Sequence, residues 1–317
     1  MGNLLKANGI KIWFEEFGES SNETILLIMG ANANCKQWPQ EFIDELVSKN
    51  FRVVRFDNRD VGKSSWLGKE PSYNKFLKIL PAFILKIIVN RIFGLVVDKK
   101  GKFKFSKSAV VKYDLSDMAK DAVSLMDSLN IEKAHIVGAS MGGMITQIIA
   151  LDYPERVKSI TPIMTTPGIQ NESLSGPSQE LLNAMQKSFV MNLKGRFEDG
   201  VVEIYKQLTG SRFPFDEQDF RNKLAPIVEH GNNPFALHGA AIGASPDRTS
   251  RLNEINVPTL VIHGTEDAIL PLDHGIALAD GIKNSTRMIM DRVGHEIPEQ
   301  LYSEIVNAIV ENIKRAS

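Results

Sequence analysis

Short, continuously apolar runs alternate with longer amphipathic ones along most of the chain. Residues 24–29, 51–56, 135–139, 160–164, 259–263 and 286–290 read as strands. Their unbroken hydrophobicity, in place of strict alternation, predicts strands covered on both faces, as in a parallel sheet. Between them, residues 37–48, 114–129, 141–151, 273–281 and 298–314 have helical spacing; in 114–129, Leu115, Met118, Ala122, Leu125 and Leu129 share one face. Near the N-terminus Asn8-Gly9 separates two strand-like runs within residues 4–17, which predicts an antiparallel hairpin at the sheet's edge. The rhythm as a whole predicts an α/β fold with a mostly parallel twisted sheet and helices on both faces.

The rhythm breaks twice. Residues 167–248 are helix-like and loop segments punctuated by glycine and proline, which predicts a helical cap inserted into a catalytic domain formed by 1–166 and 249–317. The other break is an apolar, basic insertion at about residues 66–112. Its run from 76 to 97 has the length of a membrane span, but Lys78, Pro81, Lys86, Asn90 and Arg91 interrupt it. Lys78, Ala82, Lys86 and Asn90 recur at four-residue spacing, a narrow small-or-polar stripe on an otherwise apolar helix that starts near Pro81. Such a helix wants a hydrophobic neighbour. The cap or a homodimer partner is the expected one, and peripheral contact of segment 73–112 with an anionic membrane or an apolar substrate is the other candidate.

Charge sharpens this picture. The 317 residues hold 37 basic and 38 acidic side chains, for a net charge of -1, which argues against a dedicated nucleic-acid binder. The distribution is uneven: between Lys75 and Lys112 ten cations stand against Asp98 alone. A single cysteine, Cys35, excludes an intramolecular disulfide framework; with no secretory pattern at the N-terminus and Lys6 where a myristoylation signal wants Ser or Thr, a cytoplasmic location is expected. No phosphate-cradling loop and no His or Cys cluster with metal-ligand spacing occurs, so no metal is expected.

Gly138-Ala139-Ser140-Met141-Gly142 fits the GxSxG nucleophile elbow and lies between a predicted strand and a predicted helix, where a sharp turn presents the hydroxyl. A serine hydroxyl needs a base at neutral pH, and the base needs an acceptor to fix its tautomer. His295 follows strand 286–290, and Asp267 follows strand 259–263, so both fall at the carboxyl edge where Ser140 lies. Glu266 competes with Asp267; loop position favours Asp267. His135 opens its strand at the wrong end of the sheet, His263 reads as a buried strand-end residue, and His274 begins a helix. His230 and His238 belong to the cap, where they shape substrate access or sit at its surface. The amide of Met141 and one from loop 29–34, with Ala31 the candidate, would form an oxyanion hole; Gly30, Asn32 and Gly142 are candidate substrate contacts. Cys35 reads as a small buried residue.

Taken together, LLIMGANANCKQWP, VVRFDNRDVGKSS, YDLSDMAKDAVSLMDSLNI, AHIVGASMGGMITQ, ITPIMTTPG, SPDRTSRL, VPTLVIHGTEDAILPLDHG and VGHEIP resemble the aclacinomycin methylesterase-like branch of the α/β-hydrolases. Met29-Gly30 replaces the His-Gly of many superfamily members, as in that branch. The resemblance implies hydrolysis of a small-molecule carboxylic ester through an acyl-enzyme without a cofactor, with Ser140, Asp267 and His295 matching the triad and Ala31 and Met141 the hole. Two other functions remain compatible with these residues: perhydrolase or haloperoxidase-type activity with the same triad, and ligand reception with vestigial hydrolysis.

Overall fold

The computed structural model describes residues 2–98, 101–104 and 111–316. Residues 99–100 and 105–110 of the basic insertion, with Lys99, Lys100 and Lys107, lie outside the described residues.

The predicted hairpin is present. Strand β1 (Asn3–Ala7) pairs antiparallel with β2 (Ile10–Phe17), and Asn8 and Gly9 both have positive φ, 46° and 78°, as the tight turn requires. Next come β3 (Thr24–Ile28), α1 (Gln40–Ser48) and β4 (Arg52–Phe56). Helices α2 (Asn74–Ile79) and α3 (Ala82–Val96) form the insertion, with Pro81 at the α3 N-cap. After them come α4 (Leu115–Ser128), β5 (Ala134–Ala139), α5 (Met141–Asp152) and β6 (Val157–Ile163). Four helices, α6 (Gln179–Leu193), α7 (Phe197–Leu208), α8 (Glu217–His230) and α9 (His238–Ala244), separate β6 from β7 (Thr259–Gly264). The chain closes with α10 (Leu272–Gly281), β8 (Ser285–Met290) and α11 (Tyr302–Lys314).

The eight strands form one sheet in the order β1-β2-β4-β3-β5-β6-β7-β8, parallel from β4 to β8. Its central strands are covered on both faces, and every residue of β3, β4 and β5 is buried. Alternation divides them between two cores. Leu26, Ile28 and Ile136 face α4 and α5 through Leu115, Met118, Ala122, Leu125 and Ile145. Ile25, Leu27 and Val137 face α1 and α11 through Phe42, Ile43, Leu46, Ile305 and Ile309. Helix α4 starts cleanly because Asp114 accepts from the amides of Ser116 and Asp117 while Asp117 accepts from the Asp114 amide, a reciprocal capping box.

Three strand ends matter for chemistry. Ala139, Ile163 and Ile262 are in register across β5, β6 and β7, and Gly264 pairs with Met290 of β8. The turn after β5 and the loops after β7 and β8 therefore emerge along one edge.

Candidate active site

Ser140 sits between β5 and α5 with φ 54° and ψ -118°. A non-glycine residue at such angles carries about 1–3 kcal/mol of strain and persists only where its neighbours fix it. Here the Ser140 amide donates to Ile163 O (2.8 Å), and its carbonyl accepts from Thr165 Oγ1 (2.7 Å) and the Gly143 amide (2.9 Å). The elbow thus holds the side chain half-buried above the sheet.

Asp267 and His295 meet. The imidazole Nδ1 lies 2.6 Å from Asp267 Oδ2, whose side chain is fully buried. Asp267 Oδ1 accepts the amides of Ile269 (3.0 Å) and Leu270 (2.8 Å), which fixes the carboxylate. Burial pushes the Asp267 carboxyl up, but the charge and hydrogen bond of His295, with help from His263 and the Leu270 amide, hold it below its usual range. The two loops are tied by Glu266 N to Val293 O (2.9 Å) and Arg292 N to Thr265 Oγ1 (2.7 Å), and the His295 amide donates to Leu208 O at the end of α7 (2.7 Å). Glu266 is exposed and binds Ser211 through both carboxylate oxygens, so it does not compete for the imidazole. Among the described residues the Ser140 hydroxyl is not hydrogen-bonded to His295. In unliganded hydrolases that bond is often long and tightens when substrate binds.

Gly30 brings the loop after β3 against Ser140. A Cβ there would stand 3.1 Å from Ser140 Cβ and 3.7 Å from its Oγ. Ala31 N has no acceptor among the described residues, and Met141 N, at the first position of α5, has none within the helix. At Gly142 the missing side chain would meet Ile28 O at 2.0 Å, so the glycine serves the close approach of α5 to β3. Asn32 (φ 59°) is exposed, and its amide donates to His238 Nδ1 (2.8 Å).

His230 and His238 are not at the surface. His238 is fully buried, and its Nε2–H donates to Arg59 O (2.7 Å) while Nδ1 accepts from Asn32. Burial pushes its pKa down, which keeps the ring neutral as this pair of bonds requires. His230 binds Asp57 Oδ2 (2.8 Å) and stands edge-on to Trp13. His135 lies at the opposite end of β5 on Ser159, His263 is buried with Nε2 on Leu270 O, and His274 bridges Thr166 and Ser175.

The residues after β4 carry tasks the sequence reading missed. Asn58 Nδ2 holds Met29 O (2.9 Å), Arg59 makes a two-pronged ion pair with Asp121 (both 2.7 Å), and Asp60 takes Tyr113 OH (2.6 Å) and the Gly68 amide (2.7 Å). The signal was a dense polar run directly after an apolar strand at the active edge. Cys35, Asp57 and His230 form a buried trio whose donor atoms lie within 4.8 Å, a group that spacing along the chain does not reveal. Asp57 already accepts from the amides of Cys35 (2.9 Å) and Lys63 (2.8 Å) and from His230, and burial pushes the Cys35 thiol up, away from the thiolate a metal needs. The trio acts as a strut between α8 and the core.

The alpha/beta hydrolase fold family matches residues 23–300. The chain belongs to that family. Among curated relatives of this α/β-hydrolase, the rhodomycin D methylesterase DauP of Streptomyces sp. (strain C5) is 26% identical over 99% of this chain and 98% of that protein. A 2-hydroxy-6-oxononadienedioate/2-hydroxy-6-oxononatrienedioate hydrolase of Pseudomonas putida is 27% identical over 90% of this chain and 86% of its own length. Among solved structures, an esterase from Exiguobacterium antarcticum superposes with a TM-score of 0.70 at 19% identity, covering 99% of this chain and all of that one (100%), which supports the fold.

Proposed function

We propose that this carboxylic ester hydrolase acts on esters of small or moderately apolar molecules through an acyl-enzyme on Ser140. The observation that carries the reading is the 2.6 Å bond between His295 Nδ1 and the buried Asp267 carboxylate, at the edge where strained Ser140 stands half-buried. With Nδ1–H bound to Asp267, the imidazole keeps its lone pair on Nε2, the form that accepts a proton. Ser140 Oγ attacks the ester carbonyl carbon and its proton passes to His295. The carbonyl oxygen takes the developing charge and is met by the amides of Ala31 and Met141. The proton then goes to the alcohol as it leaves, and water, deprotonated by the same imidazole, cleaves the acyl-enzyme. Methylesterase relatives that span nearly the whole chain support the ester class.

Treatment with a fluorophosphonate and then peptide mass spectrometry tests this directly. One adduct per chain is expected, on the peptide that contains Ser140. A chain that stays unlabelled and turns over no p-nitrophenyl ester would remove the proposal.

His238 is a positioning residue in this scheme, since it holds the oxyanion loop through the Asn32 amide. Full loss of one oxyanion donor costs about 10²–10³ in turnover, so His238→Ala is expected to cost part of that, about tenfold, in kcat, with KM little changed. It also leaves Asn32 N–H and Arg59 O without their partner, at about 1–3 kcal/mol of stability. Steady-state kinetics beside thermal unfolding separates the two effects; an unchanged kcat would confine His238 to a structural role.

A further inference from the structure

The insertion has two faces with different surroundings. Helix α3 lies against α6, and its Leu85 and Val89 are buried. The opposite face of a helix in water is expected to be polar. Here Phe83 and Ile87, one turn apart, are 67% and 59% exposed, and Tyr73, Phe76 and Ile79 at α2 are exposed beside them in the chain. Of the twelve large hydrophobic side chains exposed among the described residues, nine fall between Trp66 and Val96. Such concentration in one segment marks an interaction surface, whereas scattered exposure does not.

The cations are placed to match. At 100° per residue, Lys86, Asn90, Phe83, Ile87 and Arg91 succeed one another across the exposed face, so that the two apolar side chains are bordered by a cation on each side. Among the described residues no carboxylate pairs with Lys75, Lys86 or Arg91. Cations at the margin of an apolar stripe can lay their stems along it and raise their charges to an anionic layer.

We propose that this face docks on an anionic phospholipid surface, with α3 lying parallel to it, Phe83 and Ile87 in the outer acyl region, and Lys86 and Arg91 on the phosphates. Charge decides the occupant. A second copy would bring another Lys86 and Arg91, which no carboxylate pairs among the described residues, against the first two, and like charges would face each other across an apolar contact. An anionic lipid layer answers both parts of the face at once. Spanning is not at issue, because no helix among the described residues is long and apolar enough to cross a membrane. The proposal goes beyond ester hydrolysis and does not depend on it.

Co-sedimentation with phosphatidylcholine vesicles, with and without phosphatidylglycerol, tests the docking. The full chain is expected to sediment with the anionic vesicles at low salt and to be released near 1 M salt, where the screening length falls to about 3 Å. A surface cation contributes about fivefold to partitioning, so Lys86→Gln with Arg91→Gln is expected to weaken binding about thirtyfold. Phe83→Ser with Ile87→Ser is expected to weaken it at least as much. Both pairs are exposed, so thermal midpoints should stay at the parent value and show that each variant is folded. Failure of the parent protein to sediment with anionic vesicles at low salt would overturn the proposal, as would equal binding by the variants. A dimer in analytical ultracentrifugation that Phe83→Ser and Ile87→Ser dissociate would also overturn it, by assigning the face to a second copy.

Discussion

Ser140→Ala is expected to lower kcat for short p-nitrophenyl esters by about a millionfold, the scale on which a triad nucleophile's removal is felt. Under the proposed mechanism the substitution deletes the one atom that forms the acyl bond and leaves the amides of Ala31 and Met141 to polarise a carbonyl that water must then attack unaided. Its structural cost should be small. The backbone partners that hold the turn, Ile163 O, Thr165 Oγ1 and Gly143 N, remain, and the Ser140 hydroxyl has no hydrogen bond to lose among the described residues. Gly30, whose position brings the loop within van der Waals reach of Ser140 Cβ, meets the same methylene-sized volume in alanine. KM for an ester should therefore change little while kcat collapses, and the thermal midpoint should match the parent. Turnover within tenfold of the parent would mean that another group carries the acyl bond.

Much of the fold was legible because it is local. A two-residue Asn-Gly turn, unbroken apolar runs for buried strands and one-sided helices such as α4 each express themselves within a dozen residues, and each appears in the structure. Strand order then puts residues 140, 267 and 295 along one edge, which is why loop position after a strand was informative. The choice of Asp267 over Glu266 also had a local signal that went unread: a short carboxylate can accept the amides two and three residues ahead, Ile269 and Leu270, whereas a glutamate reaches past them.

The hidden part was long-range. The bond from Asn32 to His238 joins residues 206 apart, and that from Asp57 to His230 joins residues 173 apart. Neither leaves a mark on the periodicity of its own segment, so both histidines read as cap or surface residues. The insertion was half legible. Its apolar character predicted a hydrophobic neighbour, and α6, within residues 167–248, is one, but it covers a single face and leaves many apolar side chains of α2 and α3 in contact with solvent. Hydrophobicity reports a preference for leaving water, and it does not say which surface will supply the shelter.

Asp267→Asn is expected to reduce kcat about 10⁴-fold with the fold retained, and the reason is a matter of tautomers. Oδ1 accepts two backbone amides, from Ile269 and Leu270, so the asparagine must keep its carbonyl oxygen there and turn its NH₂ toward His295. That group can only donate. It therefore stabilises the imidazole with its lone pair on Nδ1 and its proton on Nε2, which leaves no basic nitrogen facing Ser140. A second service proposed for the carboxylate is lost as well, since an amide does not stabilise the imidazolium that the proposed proton transfer from Ser140 would form. Acidification provides an independent reading of the same pair. Because the Asp267 carboxyl is held below its usual range, it contributes stability above the unfolded carboxyl pKa and loses it as pH falls through the lower folded value. In Asp267→Asn that contribution should be missing, so stability should depend less on pH across the acidic limb. If the variant kept kcat within about tenfold of the parent, below the roughly 10⁴ that tautomer control carries, the imidazole would be oriented by something else, with His263, 3.5 Å from Asp267 Oδ2, the next group to examine.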